Sequence, residues 1–382
     1  MQSLFDRYMA VPHHFANEFD EDQTWFGPSI RGAQGWIDAV RRGMPSIPKI
    51  DCKFMAEMRA VAWCRPRDVR STEDGRHYEV AISMGLGLQC LELCFAIFSH
   101  PDIFPDIGVA RDEDATRIDR GAMTLGFETV TGRLDWNDLD RMTDFATQFA
   151  PLNQTRMHAA LFLYHMLLML IWLHEIRHVV DGHCGFAKVN LDMEALFEED
   201  DGSPCGPAVH DYTVGDQTKD RYYLELEADA SAAVTLAPSL MGGSGQFIDL
   251  KAFPSLTATN RLEIMLFATI LLPWLWWVWR DLRGVGASET HPHPSLRMLN
   301  AMLFADRIAQ SVEEADDYRS ELRAAATGAV QNAVRLAGVD PRCASIASNL
   351  TQERIREYRS WRSAIVPAMR DLRGRLKPFA YV

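Results

Sequence analysis

Apolar residues along this chain fall into blocks whose length and period change from one region to the next. Lys53 to Cys64 and His77 to Ser83 carry the mixed aliphatic and aromatic content of strands, and the polar stretch between them holds Asp74-Gly75, so the two read as a hairpin. Leu86 to Phe98 is almost continuously apolar and predicts a buried helix. Ala159 to Leu173 is a nearly unbroken apolar run, the pattern of a helix buried on all sides, with Gly182 as its stop. Ile264 to Trp279 is a second such run. Beyond about position 300 the pattern is helical, and Gly338 and Pro341 separate a helix through Ala324 to Ala326 from one holding Arg354 to Tyr358. The prediction is an α+β, mainly helical protein in three regions: 1–150 mixed, 151–310 central, 311–382 helical.

The long apolar run ends in His174-Glu175-Ile176-Arg177-His178, an H-E-x-x-H pentad. Four-residue spacing places both imidazoles on one helical face, about one turn apart, where they can chelate one zinc ion while Glu175 takes a proton from water beside it. This is the chemistry of metal-dependent hydrolysis. On a solvated helix end the same pentad would be incidental; at the end of a buried helix two histidines and a glutamate are hard to explain as packing.

Catalytic zinc takes three protein ligands and leaves one position to water. An H-E-x-x-H-x-x-G-x-x-H arrangement would need Gly at 181 and His at 184, where the chain has Asp181 and Cys184. In Tyr222-Tyr223-Leu224-Glu225-Leu226-Glu227-Ala228-Asp229-Ala230, Glu225 and Asp229 share a helical face. Glu225 can complete the zinc site, and Asp229 can accept a hydrogen bond from the outer nitrogen of a ligating histidine.

H-E-x-x-H followed by E-x-x-A-D resembles the gluzincin metallopeptidases of the CAAX prenyl protease and HtpX type. The likeness extends to His183, which gives H-E-x-x-H-x-x-x-x-H, and to Thr290-His291-Pro292-His293-Pro294-Ser295-Leu296-Arg297, similar to that family's T-H-P-x-x-x-x-R element. It covers roughly positions 155 to 300. A looser similarity is to Lit-type phage-exclusion peptidases. The resemblance implies a zincin-like core, a peptide or protein substrate and zinc as cofactor, with His174, His178 and Glu225 as ligands and Glu175 as general base. It further implies that His291, or failing that His293, donates to the developing oxyanion, with Arg297 orienting that loop or the substrate. The alternative is an inactive binding or regulatory module in which zinc staples two helices, closed by His183 or Cys184 as fourth ligand.

Composition narrows the rest. Net charge is −13 and no Lys/Arg-rich block stands out, which argues against nucleic-acid binding. Seven cysteines, an odd number, suit reduced thiols. Met1 to Arg7 lacks the basic and apolar regions of a signal peptide, so a cytoplasmic location is expected. Cys90 and Cys94, at helical spacing in an apolar block, read as buried structural thiols. Membrane spanning needs about 20 apolar residues. Both runs are shorter, so buried helices are favoured over membrane association. Glu194 to Pro207, acidic and rich in helix breakers, reads as a loop, either a solvated insertion or a lid. The predicted hairpin is either ordinary packing or an edge against which a peptide lies extended.

Overall fold

In the computed structural model, the residues described are 27–55, 61–66, 77–114, 150–191, 196–197, 217–240, 250–282, 316–339 and 351–381, with positions 297, 300, 343 and 346. The chain is mainly helical with one small sheet. Helix α1 (Gly27–Gly43) leads into strand β1 (Lys49–Met55); β2 (Ala62–Pro66) and β3 (His77–Ser83) follow, and β3 runs directly into α2 (Met84–Ser99). The Ser83 side chain caps α2 by accepting from the Leu86 N–H.

β2 and β3 pair antiparallel, as the hairpin expectation requires. The expected first strand, however, is two. Lys53 to Met55 ends β1, which pairs parallel with β3 from Lys49↔His77 to Met55↔Ser83, whereas Ala62 to Cys64 opens β2 on the other side of β3. A strand persists only while a partner satisfies its backbone groups, and β3 is seven residues long. A continuous strand from 49 to 66 would run well past it. The sheet order is β1-β3-β2-β4, where β4 is the pair Leu196–Phe197. These two residues lie inside the expected 194–207 loop, and the remainder of that loop falls outside the described residues.

The axis of the fold is α3 (Gln154–Val180), 27 residues and so roughly 40 Å long. Asn153 caps its start, accepting from the Thr155 and Arg156 N–H groups. Its end is closed by Asp181 N–H to the Arg177 carbonyl and Gly182 N–H to that of Val179, with Gly182 at φ +85°. A side chain at 182 would be strained twice over, since its Cβ would also meet the Phe379 and Ala380 backbone at 2.5 Å. The chain then turns into α4 (His183–Asn190). Helices α5 (Gln217–Leu240), α6 (Ala258–Leu282), α7 (Asp316–Val339) and α8 (Gln352–Leu376) complete the described architecture. The helices expected through Ala324 to Ala326 and Arg354 to Tyr358 are α7 and α8; Gly338, expected to separate them, lies inside the last turn of α7, and Pro341 falls outside the described residues.

α3 is packed by α1, α2, α5, α6 and the sheet, through β2 and β3. It is the one helix among the described residues long and apolar enough to cross a membrane, and its apolar window is wholly buried within the fold. The second run, in α6, is buried from Ile264 to Trp276. One hydrophobic cluster runs from Ile30 to Ile346, and a smaller one joins Phe186, Tyr222, Tyr223, Leu372 and Leu376 across α4, α5 and α8. Cys90 and Cys94 lie fully buried in the large cluster. Arg156, also fully buried, gives all its guanidinium hydrogens to five carbonyls, those of Phe98, His100, Ile103, Phe104 and Ile107, at 2.8–3.0 Å. One side chain thus organises the loop after α2 and anchors it to the start of α3.

Candidate metal centre

His174, Glu175 and His178 occupy the last two turns of α3, and Glu225 faces them from the third turn of α5. The apolar flanks of both helices bring the polar groups together: Leu173 and Ile176 on α3, and Leu224, Leu226 and Ala228 on α5, are each at most 2% exposed. His174, His178 and Glu225 are themselves 3%, 1% and 1% exposed. His174 Nε2 lies 3.0 Å from His178 Nε2 and 3.1 Å from Glu225 Oε2; His178 Nε2 lies 3.6 Å from the same oxygen. A tetrahedral zinc ion with bonds of about 2.0–2.1 Å sets its ligand atoms roughly 3.3 Å apart, so the triangle has the size such an ion needs. This is the metal-capable cluster of His, Cys, Asp and Glu among the described residues.

The outer nitrogen of His174 fixes what the inner one can do. Nδ1 lies 2.9 Å from Asp229 Oδ1, one helical turn beyond Glu225. Burial pushes the Asp229 carboxyl up, but the Arg297 guanidinium and the His174 ring more than offset this and hold it below its usual 3.8. An ionised carboxylate only accepts, so Nδ1 of His174 carries a proton, and Nε2 is the ring nitrogen turned to the centre that a cation could use. Arg297 in turn donates two hydrogen bonds to Asp229, Nε to Oδ2 at 2.6 Å and a terminal nitrogen to Oδ1 at 2.7 Å. Asn300, one turn further, donates to the Leu226 carbonyl at 3.2 Å and ties the same segment to α5.

His183 is fully buried, with Nδ1 2.9 Å from His178 Nδ1, on the side of that ring away from the centre. Burial holds its imidazole well below the usual range, so it is neutral. Cys184 Sγ lies 3.1 Å from Cys64 Sγ on β2. Burial first, then Cys184 and the charges of Glu175 and Glu225, push the Cys64 thiol up, which keeps it a thiol. Glu175 is 1% exposed, next in sequence to His174 and three residues before His178.

The structure therefore brings His174, Glu175, His178, Glu225, Asp229 and Arg297 together. His291 and His293 lie outside the described residues. The ion pair between Arg297 and Asp229 is absent from the sequence reading, which gives Arg297 the orientation of a loop or the substrate. The signal that could have found it is the burial of an acid one turn beyond Glu225, which demands a cation. Comparison with protein families, curated proteins and solved structures finds no match to this chain.

Proposed function

We propose that this protein is a zinc-dependent peptidase with His174, His178 and Glu225 as metal ligands. The observation that carries the reading is the convergence of two imidazole nitrogens and a carboxylate oxygen within 3.6 Å of one another in the interior. Buried acceptors aimed at one point repel unless a cation or proton lies between them, and two imidazoles with one carboxylate are a donor set used by catalytic zinc. Zinc held there would polarise a scissile carbonyl and acidify a neighbouring water molecule.

The chain's own residues supply the remainder. Glu175 accepts the proton of the attacking water and delivers it to the leaving amine, so that one carboxyl serves as base and then as acid. Asp229, backed by Arg297, keeps His174 in the tautomer and orientation that ligation needs. His291 donates a hydrogen bond to the oxyanion, with His293 as the second candidate for that place. The rival, a structural zinc staple, requires a fourth protein ligand. His183 Nδ1 instead faces the outer nitrogen of His178, and Cys184 faces Cys64.

The test pairs metal analysis with cleavage. Purified wild type should carry one zinc ion, Glu225→Ala should lose most of it, and Glu175→Gln should retain it while losing hydrolysis of casein or of a proteome-derived peptide library by orders of magnitude. Stoichiometric zinc in Glu225→Ala would remove that ligand, and cleavage by Glu175→Gln near the wild-type rate would refute the mechanism.

A further inference from the structure

We infer that His183 is a positioning residue for the metal centre: by accepting a hydrogen bond from His178 Nδ1–H it fixes His178 in the tautomer whose Nε2 lone pair faces the ion. The inference rests on the proposed zinc site and assigns a role to a residue outside the ligand set.

Two observations carry it. His178 Nε2 is the inward atom, 3.0 Å from His174 Nε2 and 3.6 Å from Glu225 Oε2, while its Nδ1 faces His183 Nδ1 at 2.9 Å. Two ring nitrogens at that distance share one proton, so one donates and the other accepts. If Nε2 of His178 is to ligate, its proton resides on Nδ1, and His183 must be the acceptor with its own proton on Nε2. Second, that Nε2 of His183 is buried and has no hydrogen-bond partner among the described residues. A buried ring nitrogen without a partner costs free energy. The cost is understandable if the ring is there for its other nitrogen.

The approach is built by the chain reversal at Gly182. On a continuing helix, His183, five residues after His178, would point about 140° away from it. The left-handed residue at 182 ends α3 and swings the first residue of α4 back onto the ligand ring. The two ligand histidines thus have different supports. His174 leans on an ionised carboxylate with its own arginine, and His178 on a neutral ring. Such partners of metal ligands tune affinity by about 10- to 100-fold.

The tautomer can be read directly. In zinc-loaded wild type labelled with 15N-histidine, two-bond nitrogen–proton correlations should show His183 protonated on Nε2 and His178 on Nδ1; a His183 protonated on Nδ1 overturns the inference. Chelator competition gives the second arm. His183→Leu, which fills the space but accepts nothing, should weaken zinc binding by about 10- to 100-fold. His183→Asn, whose side-chain oxygen can take the place of Nδ1, should stay within about threefold of wild type by the same reasoning. Equal affinity in wild type and His183→Leu, or equal weakening in both variants, refutes the role. If His183→Leu does not fold, the wild-type spectrum and His183→Asn decide the question without it. Wild type that binds no zinc would refute the proposed function together with this inference, whereas wild type that binds zinc with His183 in the wrong tautomer refutes this inference alone.

Discussion

Asp229 faces two groups at once, and replacing it should damage the protein in two separable ways. Its carboxylate is 2.9 Å from His174 Nδ1 and accepts both short bonds of Arg297, a side chain 3% exposed. Asp229→Ala removes the carboxylate that accepts both of these bonds, and breaking a buried ion pair from one side typically costs about 3–5 kcal/mol. Against a total stability on the order of 5–15 kcal/mol, this is a large share. The same substitution removes the acceptor that orients His174, expected to weaken zinc binding by about 10- to 100-fold, or roughly 1.4–2.8 kcal/mol. The double variant Asp229→Ala/Arg297→Met separates the two effects, because removing both charges restores a neutral interior but not the acceptor. Urea unfolding of metal-free protein should show most of the stability returning in the double variant. Chelator competition should show zinc affinity still reduced in both. If the double variant binds zinc as tightly as wild type, Asp229 serves only as the counter-ion of Arg297, and the orienting role proposed for it is wrong.

Two further outcomes are expected. Burial, reinforced by Asp106, raises the Glu263 carboxyl above its usual 4.5 despite the Asn332 hydrogen bond. A folded-state value above the unfolded one gives stability that is fully present below about pH 4.5 and is lost as pH rises through the folded value. Glu263→Gln, which can still accept from Asn332, should therefore gain in melting temperature over wild type as pH goes from 4 to 7. A pH-independent difference between the two melting curves would contradict the sign. Arg156→Met leaves five carbonyls of the loop after α2 without their donor, at about 1–3 kcal/mol for each that stays buried and unpaired. Even with water recovering several of them, the urea midpoint should fall by the equivalent of at least about 3 kcal/mol by that accounting, and a loss below 1 kcal/mol would show that the arginine organises nothing.

Periodic and closely spaced features were legible in the sequence. The apolar block before His174 predicts α3, Gly182 predicts its end, and i,i+4 spacing puts Glu225 and Asp229 on one face of α5. These follow from local geometry. The split of the first strand was not legible, because it depends on the seven-residue length of β3, a partner 28 residues from β1. Nor was the use of Arg156, which sits in the polar stretch Asn153 to His158 before the apolar run and reads as a solvated helix start until its five carbonyls are seen. His183 stood out only through family likeness. A five-residue interval has no meaning on a helix and acquires one only when the left-handed turn at 182 folds the chain back.

The depth of the centre sets a timescale as well as an affinity. His174, His178 and Glu225 are all at most 3% exposed, and they come from two helices whose facing sides are packed with apolar residues. If an ion bound there leaves by a parting of α3 and α5, its escape is governed by the frequency of that opening more than by ligand chemistry. A chelator would then strip the protein at a rate independent of its own concentration once it is in excess, and mild denaturant would accelerate the loss long before the chain unfolds. On the proposed peptidase reading a peptide would have to pass the same barrier, and turnover and metal exchange would then share one gating motion.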